Sequence, residues 1–145
     1  MDSLDTADRL RRAIRRIDRR LRQTVGATNL SPSQYEVLAT IVRRAPIGHG
    51  DLAAAEGLNP TMLSRIVGKL EAAGLVGRLP DSSDGRAVHL VATEAGRSLF
   101  DRIRGEANEA LHVALAQLRE VDRRALLAAL PTLDALAESL TARNR

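Results

Sequence analysis

Two helix-forming segments stand almost back to back in the middle of this chain, each with its own stop and start signals. Asp51-Leu52-Ala53-Ala54-Ala55-Glu56 reads as a short helix. Gly57 follows at the position where a left-handed residue ends a helix, and Leu58 is placed to fold back on Leu52 or Ala53. Asn59 then offers a side-chain acceptor to the unpaired N–H groups of the next helix, with Pro60 at its first position, where a missing N–H costs nothing. That helix runs to Ala73, and Gly74 with Leu75 repeats the same ending, with Leu70 as the fold-back partner. Two capped helices joined by so short a Gly-containing turn outline a helix-turn-helix, although a generic helical hairpin carries the same punctuation.

The flanks narrow the choice. Leu75–Leu79 and Ala87–Ala92 are short extended candidates, the second rich in β-branched residues, and the polar stretch Pro80–Arg86 between them has the composition of a turn. A hairpin directly after a helix-turn-helix is a wing. Upstream, Ser31, Pro32 and Gln34 form a capping box with its preferred proline, and Tyr35, Leu38, Ile41 and Val42 make the buried face of a helix that ends near Arg44 before Pro46.

Both ends of the chain read as helices with narrow apolar seams. Residues 7–25 place Leu10, Ile14, Ile17 and Leu21 on one stripe and Arg9, Arg12, Arg16 and Arg19 on another. Thr93 caps a helix continuing through Leu99, Ile103, Leu111, Leu115 and Leu118. A last helix starts near Asp122 and carries Leu126, Leu130, Leu133, Ala137 and Leu140, with Pro131 expected to kink or split it. Such seams suit a helical dimerisation layer, or else the closure of a monomer core. The expected architecture is mainly α with a small β-hairpin wing and about six helices. It forms a single domain over residues 1–145, with a winged helix-turn-helix lobe at 31–92 and dimerisation helices at 7–25 and 93–141.

Composition limits the chemistry. With one Tyr, one Phe and no Trp, the core must be built from Leu, Ile, Val and Ala. The absence of Cys excludes disulfides, thiolate switches and Cys-ligated metals. No apolar run approaches the roughly 18 residues that span a bilayer. The acidic start Met1-Asp2-Ser3-Leu4-Asp5 lacks the apolar core of a secretory leader, so a cytoplasmic protein without membrane attachment is expected. His49, His89 and His112 fall on separate elements with no i, i+4 pair, and no nucleophile elbow or phosphate-binding glycine loop is present. Neither catalysis nor a cofactor is expected; a zinc site using His112 and nearby carboxylates is the weaker alternative to a surface histidine. The net charge of +4 lies wholly in residues 1–25, which hold eight Arg against four Asp. Residues 26–92 balance at six basic and six acidic groups.

Residues 30–96 resemble the MarR family of bacterial transcription regulators. The matching pieces run in order: Leu30-Ser31-Pro32-Ser33-Gln34-Tyr35-Glu36-Val37-Leu38, Asp51-Leu52-Ala53, and Asn59-Pro60-Thr61-Met62-Leu63-Ser64-Arg65. They continue with Leu70-Glu71-Ala72-Ala73-Gly74-Leu75-Val76, Asp81-Ser82-Ser83-Asp84-Gly85-Arg86 and Leu90-Val91-Ala92-Thr93-Glu94-Ala95-Gly96. The resemblance implies a triangular homodimer joined through its terminal helices, one winged helix-turn-helix per subunit, a near-palindromic double-stranded DNA operator, repression, and release by a small aromatic or phenolic effector.

On a helical wheel Leu63, Ile66, Val67 and Leu70 face the core, while Thr61, Arg65 and Gly68 face away, with Ser64 on one flank and Met62 and Lys69 on the other. If this helix enters the major groove from its Asn59-Pro60 start, Arg65 can pair bidentately with guanine, and Thr61 and Ser64 can bond bases or phosphates. Met62 can touch a thymine methyl, and Lys69 is a phosphate candidate. For each the alternative is a solvated surface residue. At the wing, Asp84 and Arg86 match the family's Asp-x-Arg signature, which by resemblance assigns Arg86 to the minor groove and Asp84 to holding the loop. Gly85 and Gly68 depart from the family, which often has a basic and a polar residue there. Ligand pockets in relatives make Arg15, Arg16, Arg19 and Tyr35 candidates for the effector. Two other readings stay open: a helical interaction module whose winged domain binds a protein, favoured by the neutral charge of residues 26–92, and an architectural DNA binder without an effector.

Overall fold

In the computed structural model of the chain, residues 3–24, 28–81, 83, 85 and 87–142 are described. The element order is α1 (Ser3–Thr24), α2 (Pro32–Arg44), β1 (Ile47–Gly48), α3 (His49–Glu56), α4 (Pro60–Ala72), β2 (Val76–Pro80), β3 (Val88–Ala92), α5 (Glu94–Ala116), α6 (Glu120–Ala128) and α7 (Leu130–Ala142). These fall into two compact units, Met1–Ala107 and Asn108–Arg145.

In the first unit the punctuation of the sequence is realised at every junction of the central lobe. The Ser31 hydroxyl accepts from the Gln34 amide while the Gln34 side chain accepts from the Ser31 amide, closing the capping box of α2. Gly57 takes φ 62, and Leu58 returns its N–H to the Ala53 carbonyl at 3.0 Å. Asn59 caps α4 by accepting from the Met62 amide at 2.8 Å. Gly74, at φ 74, ends that helix, and the Leu75 amide returns to Leu70 at 2.9 Å. Both endings satisfy carbonyls that a helix terminus leaves unpaired.

The core gathers under this lobe. Val37, Leu38 and Ile41 of α2 meet Leu52 of α3, Leu63, Val67 and Leu70 of α4, and Val76, Leu90 and Ala92 of the sheet. The expected buried face of α2 shifts by a fraction of a turn: Val37 through Ile41 are all buried, whereas Tyr35 and Val42 are half-buried.

The sheet has three antiparallel strands in the order β1-β3-β2, one more than the expected hairpin. β2 pairs with β3 from Val76 opposite Ala92 to Pro80 opposite Val88. Pro80 is tolerated there because β2 is an edge strand. The added strand is β1, whose Ile47 is buried and lies opposite Leu90. Helix α3 then begins at His49, two residues before the expected start, because Gly48 leaves the strand directly into the N-cap position.

The terminal helices also differ in detail from expectation. Helix α1 begins at Ser3 rather than near residue 7. Pro131 divides the last helix: α6 starts at Glu120 and stops at Ala128, and α7 resumes at Leu130 with the proline in its first turn. That division raises the expected six helices to seven among the described residues. Among those residues, no helix is long and apolar enough to cross a membrane.

Candidate nucleic-acid interface

Helix α4 has two chemically distinct sides. Leu63, Ile66, Val67 and Leu70 are buried, as their spacing predicts. Thr61, Met62, Ser64, Arg65, Gly68 and Lys69 are exposed, with Asn59 and Pro60 exposed at the helix start. Among the described residues no carboxylate pairs with Arg65 or Lys69, so both cations are available to an outside partner. Met62 is 49% exposed, a large apolar group left half in water.

Two contacts fix how this helix is presented. The Arg78 guanidinium of β2 donates through Nε and Nη2 to the two carboxylate oxygens of Glu71, tying the end of α4 to the wing. This fork holds the Arg78 proton more firmly than usual, first through the hydrogen bond and then through the Glu71 charge. Arg78 is thereby occupied. At the opposite end, His49 Nε2 lies 3.2 Å from Ser64 Oγ, linking the start of α3 to the outer side of α4.

The wing loop is organised by Asp81. Its amide donates to the Ala87 carbonyl at 2.9 Å, and its Oδ1 accepts from both the amide and the hydroxyl of Ser83 at 2.8 Å. His89 Nδ1 lies 3.8 Å from the second Asp81 oxygen. Leu79 and Val88 are exposed at the outer end of the hairpin. Asp84 and Arg86, the expected wing residues, lie outside the described residues.

Behind α4 the wing is locked to α5 by Thr93. Its hydroxyl accepts from the Gly96 amide at 3.0 Å and donates to the Gly74 carbonyl at 2.6 Å, while its amide donates to the Leu75 carbonyl at 3.0 Å. Gly96 is required at this junction, since a Cβ there would stand 2.1 Å from the Leu75 oxygen. The sequence shows Thr93 as a cap but gives no sign of this close approach.

A cavity of 440 Å³ opens between α1, α2 and α5, lined by Leu21, Arg22, Leu30, Tyr35, Glu36 and Ile103 among others. Of the four expected ligand residues it includes Tyr35 alone; Arg15, Arg16 and Arg19 are exposed on α1 and do not line it. The cation it does contain is Arg22, held by Asp18 at 3.0 Å and Glu36 at 3.6 Å. Those carboxylates raise the Arg22 pKa, the Asp18 hydrogen bond most. Tyr35 stacks on Phe100 with ring centroids 6.0 Å apart, so the chain's two aromatic residues meet here. Burial raises the Tyr35 phenol pKa, with Glu36 adding to the shift. Periodicity places Arg22 on α1 but cannot reveal its pairing with Glu36, which depends on how α1 meets α2.

A capped pair of helices, a hairpin wing and a third strand in the sheet define a winged helix-turn-helix protein. The comparisons agree. Residues 30–88 match the model of the MarR family. An HTH-type transcriptional regulator of Mycobacterium tuberculosis is 31% identical over 87% of this chain and 88% of its own length. A transcriptional regulator of Pseudomonas aeruginosa superposes with a TM-score of 0.82 at 32% identity, covering 93% of this chain and 96% of that one. BpsR of Bordetella bronchiseptica, whose DNA binding is regulated by 6-hydroxynicotinic acid, shares the fold with a TM-score of 0.64 at 23% identity, over 88% and 91% of the two chains. This chain belongs to the MarR family of DNA-binding transcriptional regulators.

Proposed function

We propose that the protein is a homodimeric repressor that sets a pair of α4 helices into successive major grooves of a near-palindromic operator. The observation that carries this reading is the two-sided character of α4: a fully buried apolar face beneath an exposed face with Arg65 and Lys69 unpaired among the described residues. Arg65, Thr61, Ser64 and Met62 read base edges, with Asn59 and Pro60 starting the helix at the groove. Lys69 takes a phosphate, and at the wing Arg86 serves the minor groove while Asp84 holds the loop. The lobe at 31–92 reads, and the helices at 7–25 and 93–141 dimerise.

Dimerisation is supported by apolar surface that each unit leaves open. Ile14 and Ile17 of α1 are 51% and 53% exposed, and Val121 and Leu140 of α6 and α7 are 65% and 58% exposed. Residues repeating at helical spacing and left in water are the mark of a helix seam awaiting a partner helix.

The cavity at Tyr35 is the proposed effector site, and BpsR offers the precedent of a small aromatic acid that regulates DNA binding. An aromatic acid entering here must draw Arg22 from Asp18 and Glu36, which couples its binding to the α1–α2 contact.

Footprinting on genomic fragments, with and without small aromatic acids, tests the reading. Protection of two half-sites roughly 34–36 Å apart, weakened steeply by salt, is expected. No mobility shift of any fragment at low salt would favour instead a winged domain that binds protein.

A further inference from the structure

His49 opens α3, Ser64 lies on the exposed side of α4, and 3.2 Å separates the Nε2 of the one from the Oγ of the other. The core passes beneath them through Leu52, Leu63 and Val67, so this contact lies outside the packing that holds the lobe together. Its consequence is chemical. A serine hydroxyl has one proton to give and two lone pairs to accept with.

Against an Nε2 without a proton, Ser64 spends its O–H on the imidazole and turns only lone pairs toward the groove. It can then accept from cytosine N4 or adenine N6. Against an Nε2 that carries a proton, the ring donates to Oγ and the O–H swings free. Ser64 can then donate to guanine O6 or N7, to thymine O4, or to a phosphate oxygen.

We propose that His49 is the positioning residue for Ser64, its ring setting whether that hydroxyl meets DNA as an acceptor or a donor, so that base preference is coupled to protonation. This rests on the DNA-reading role of α4 given above. Imidazole suits the task because Nε2 accepts when the neutral ring carries its proton on Nδ1 and donates when both nitrogens are protonated.

The charged groups on the surrounding elements are few. Glu56 accepts from Thr40, and Glu71 holds Arg78. Asp51 lies two residues along α3, Arg65 follows Ser64, and Arg43 with Arg44 closes α2. His89, 3.8 Å from Asp81 at the base of the wing, is a second group that can take up a proton. A charge gained there changes affinity for every operator alike, so the informative quantity is a ratio of affinities between operators.

The test uses the full chain and the operator found by footprinting, with each base pair placed in turn at the position made insensitive by Ser64→Ala. For the wild type, the affinity ratio between acceptor-presenting and donor-presenting operators is expected to rise about five- to tenfold from about pH 8 to about pH 5.5, the worth of one hydrogen bond. His49→Gln gives Ser64 a polar neighbour that never titrates, and its ratio should be flat across the same range, as should that of His49→Ala. A wild-type ratio independent of pH, a His49→Gln ratio that follows the wild type, or an operator affinity indifferent to Ser64→Ala overturns the role of His49 and leaves DNA binding itself standing. Failure of the wild type to bind any fragment at any pH strikes the underlying reading and removes this one with it.

Discussion

Two glycine-to-alanine substitutions should move stability in opposite directions. At Gly96 the new Cβ would stand 2.1 Å from the Leu75 oxygen, 3.0 Å from its carbonyl carbon and 3.3 Å from its Cα. The first of these is about 0.9 Å inside the 3.0 Å that real Cβ contacts almost never breach. The Leu75 carbonyl cannot withdraw freely, because it accepts the Thr93 amide at 3.0 Å while the Leu75 amide is bonded to Leu70 at 2.9 Å. Relief therefore means shifting the start of α5 and losing the Thr93 bonds that join it to the wing. Overpacking of this kind costs about 1–3 kcal/mol, and each lost hydrogen bond about 0.5–1.5 kcal/mol. The helical preference of Ala over Gly returns at most about 1 kcal/mol. With two Thr93 bonds at stake, the net loss for Gly96→Ala is about 1–5 kcal/mol. At Gly68, in contrast, nothing lies within 4 Å of the new Cβ, so Gly68→Ala keeps the propensity gain of up to about 1 kcal/mol. Urea unfolding followed by far-UV circular dichroism, with all variants at one protein concentration because the stability of the proposed dimer would depend on it, measures both. A Gly96→Ala midpoint at or above that of the wild type would refute the close-packing account. If Gly68→Ala is stabilised yet binds operator more weakly, Gly68 is there to admit DNA.

Three further outcomes are expected. Arg65→Ala should lose about 1–3 kcal/mol of operator affinity and relax selectivity at one base pair, whereas Lys69→Ala should weaken all sequences alike and reduce the salt slope by about one; gel-shift titrations across salt concentrations distinguish them, and an unchanged Arg65→Ala affinity defeats the base-reading role. Aspartate at both Ile14 and Ile17 should yield a monomer in sedimentation equilibrium, with the lobe still folded because its core lies within residues 37–92; persistence of a dimer counts against the α1 seam. Burial favours the neutral Tyr35 phenol in the folded chain, so its share of stability is full below the ordinary value of 10.0 and is lost as pH rises through the raised folded value. The denaturation midpoint of Tyr35→Phe should accordingly fall less than that of the wild type above about pH 10, and parallel curves would show that Tyr35 does not contribute.

Local physics carried much of the lobe from the chain itself. Helix ends are decided by single residues, so Ser31, Asn59 and Thr93 announced starts, and Gly57 and Gly74 announced endings, without reference to anything distant. The spacing of Leu63, Ile66, Val67 and Leu70 divided α4 into its two sides, because helical periodicity is fixed by backbone geometry. Other features required the folded chain. β1 is two residues long, too short for any periodicity, and exists only because Ile47 finds Leu90 across the sheet. The meetings of Arg22 with Glu36, Tyr35 with Phe100, His49 with Ser64, and Gly96 with the Leu75 carbonyl join residues from different elements. Their separations along the chain say nothing of their separations in space. The sequence alone therefore determined where α2, α4 and α5 begin, where α3 and α4 end, and which side of α4 faces outward. Tertiary packing decided which side chains lie within bonding distance across elements, and with that the arginine that reaches the cavity and the histidine that touches α4.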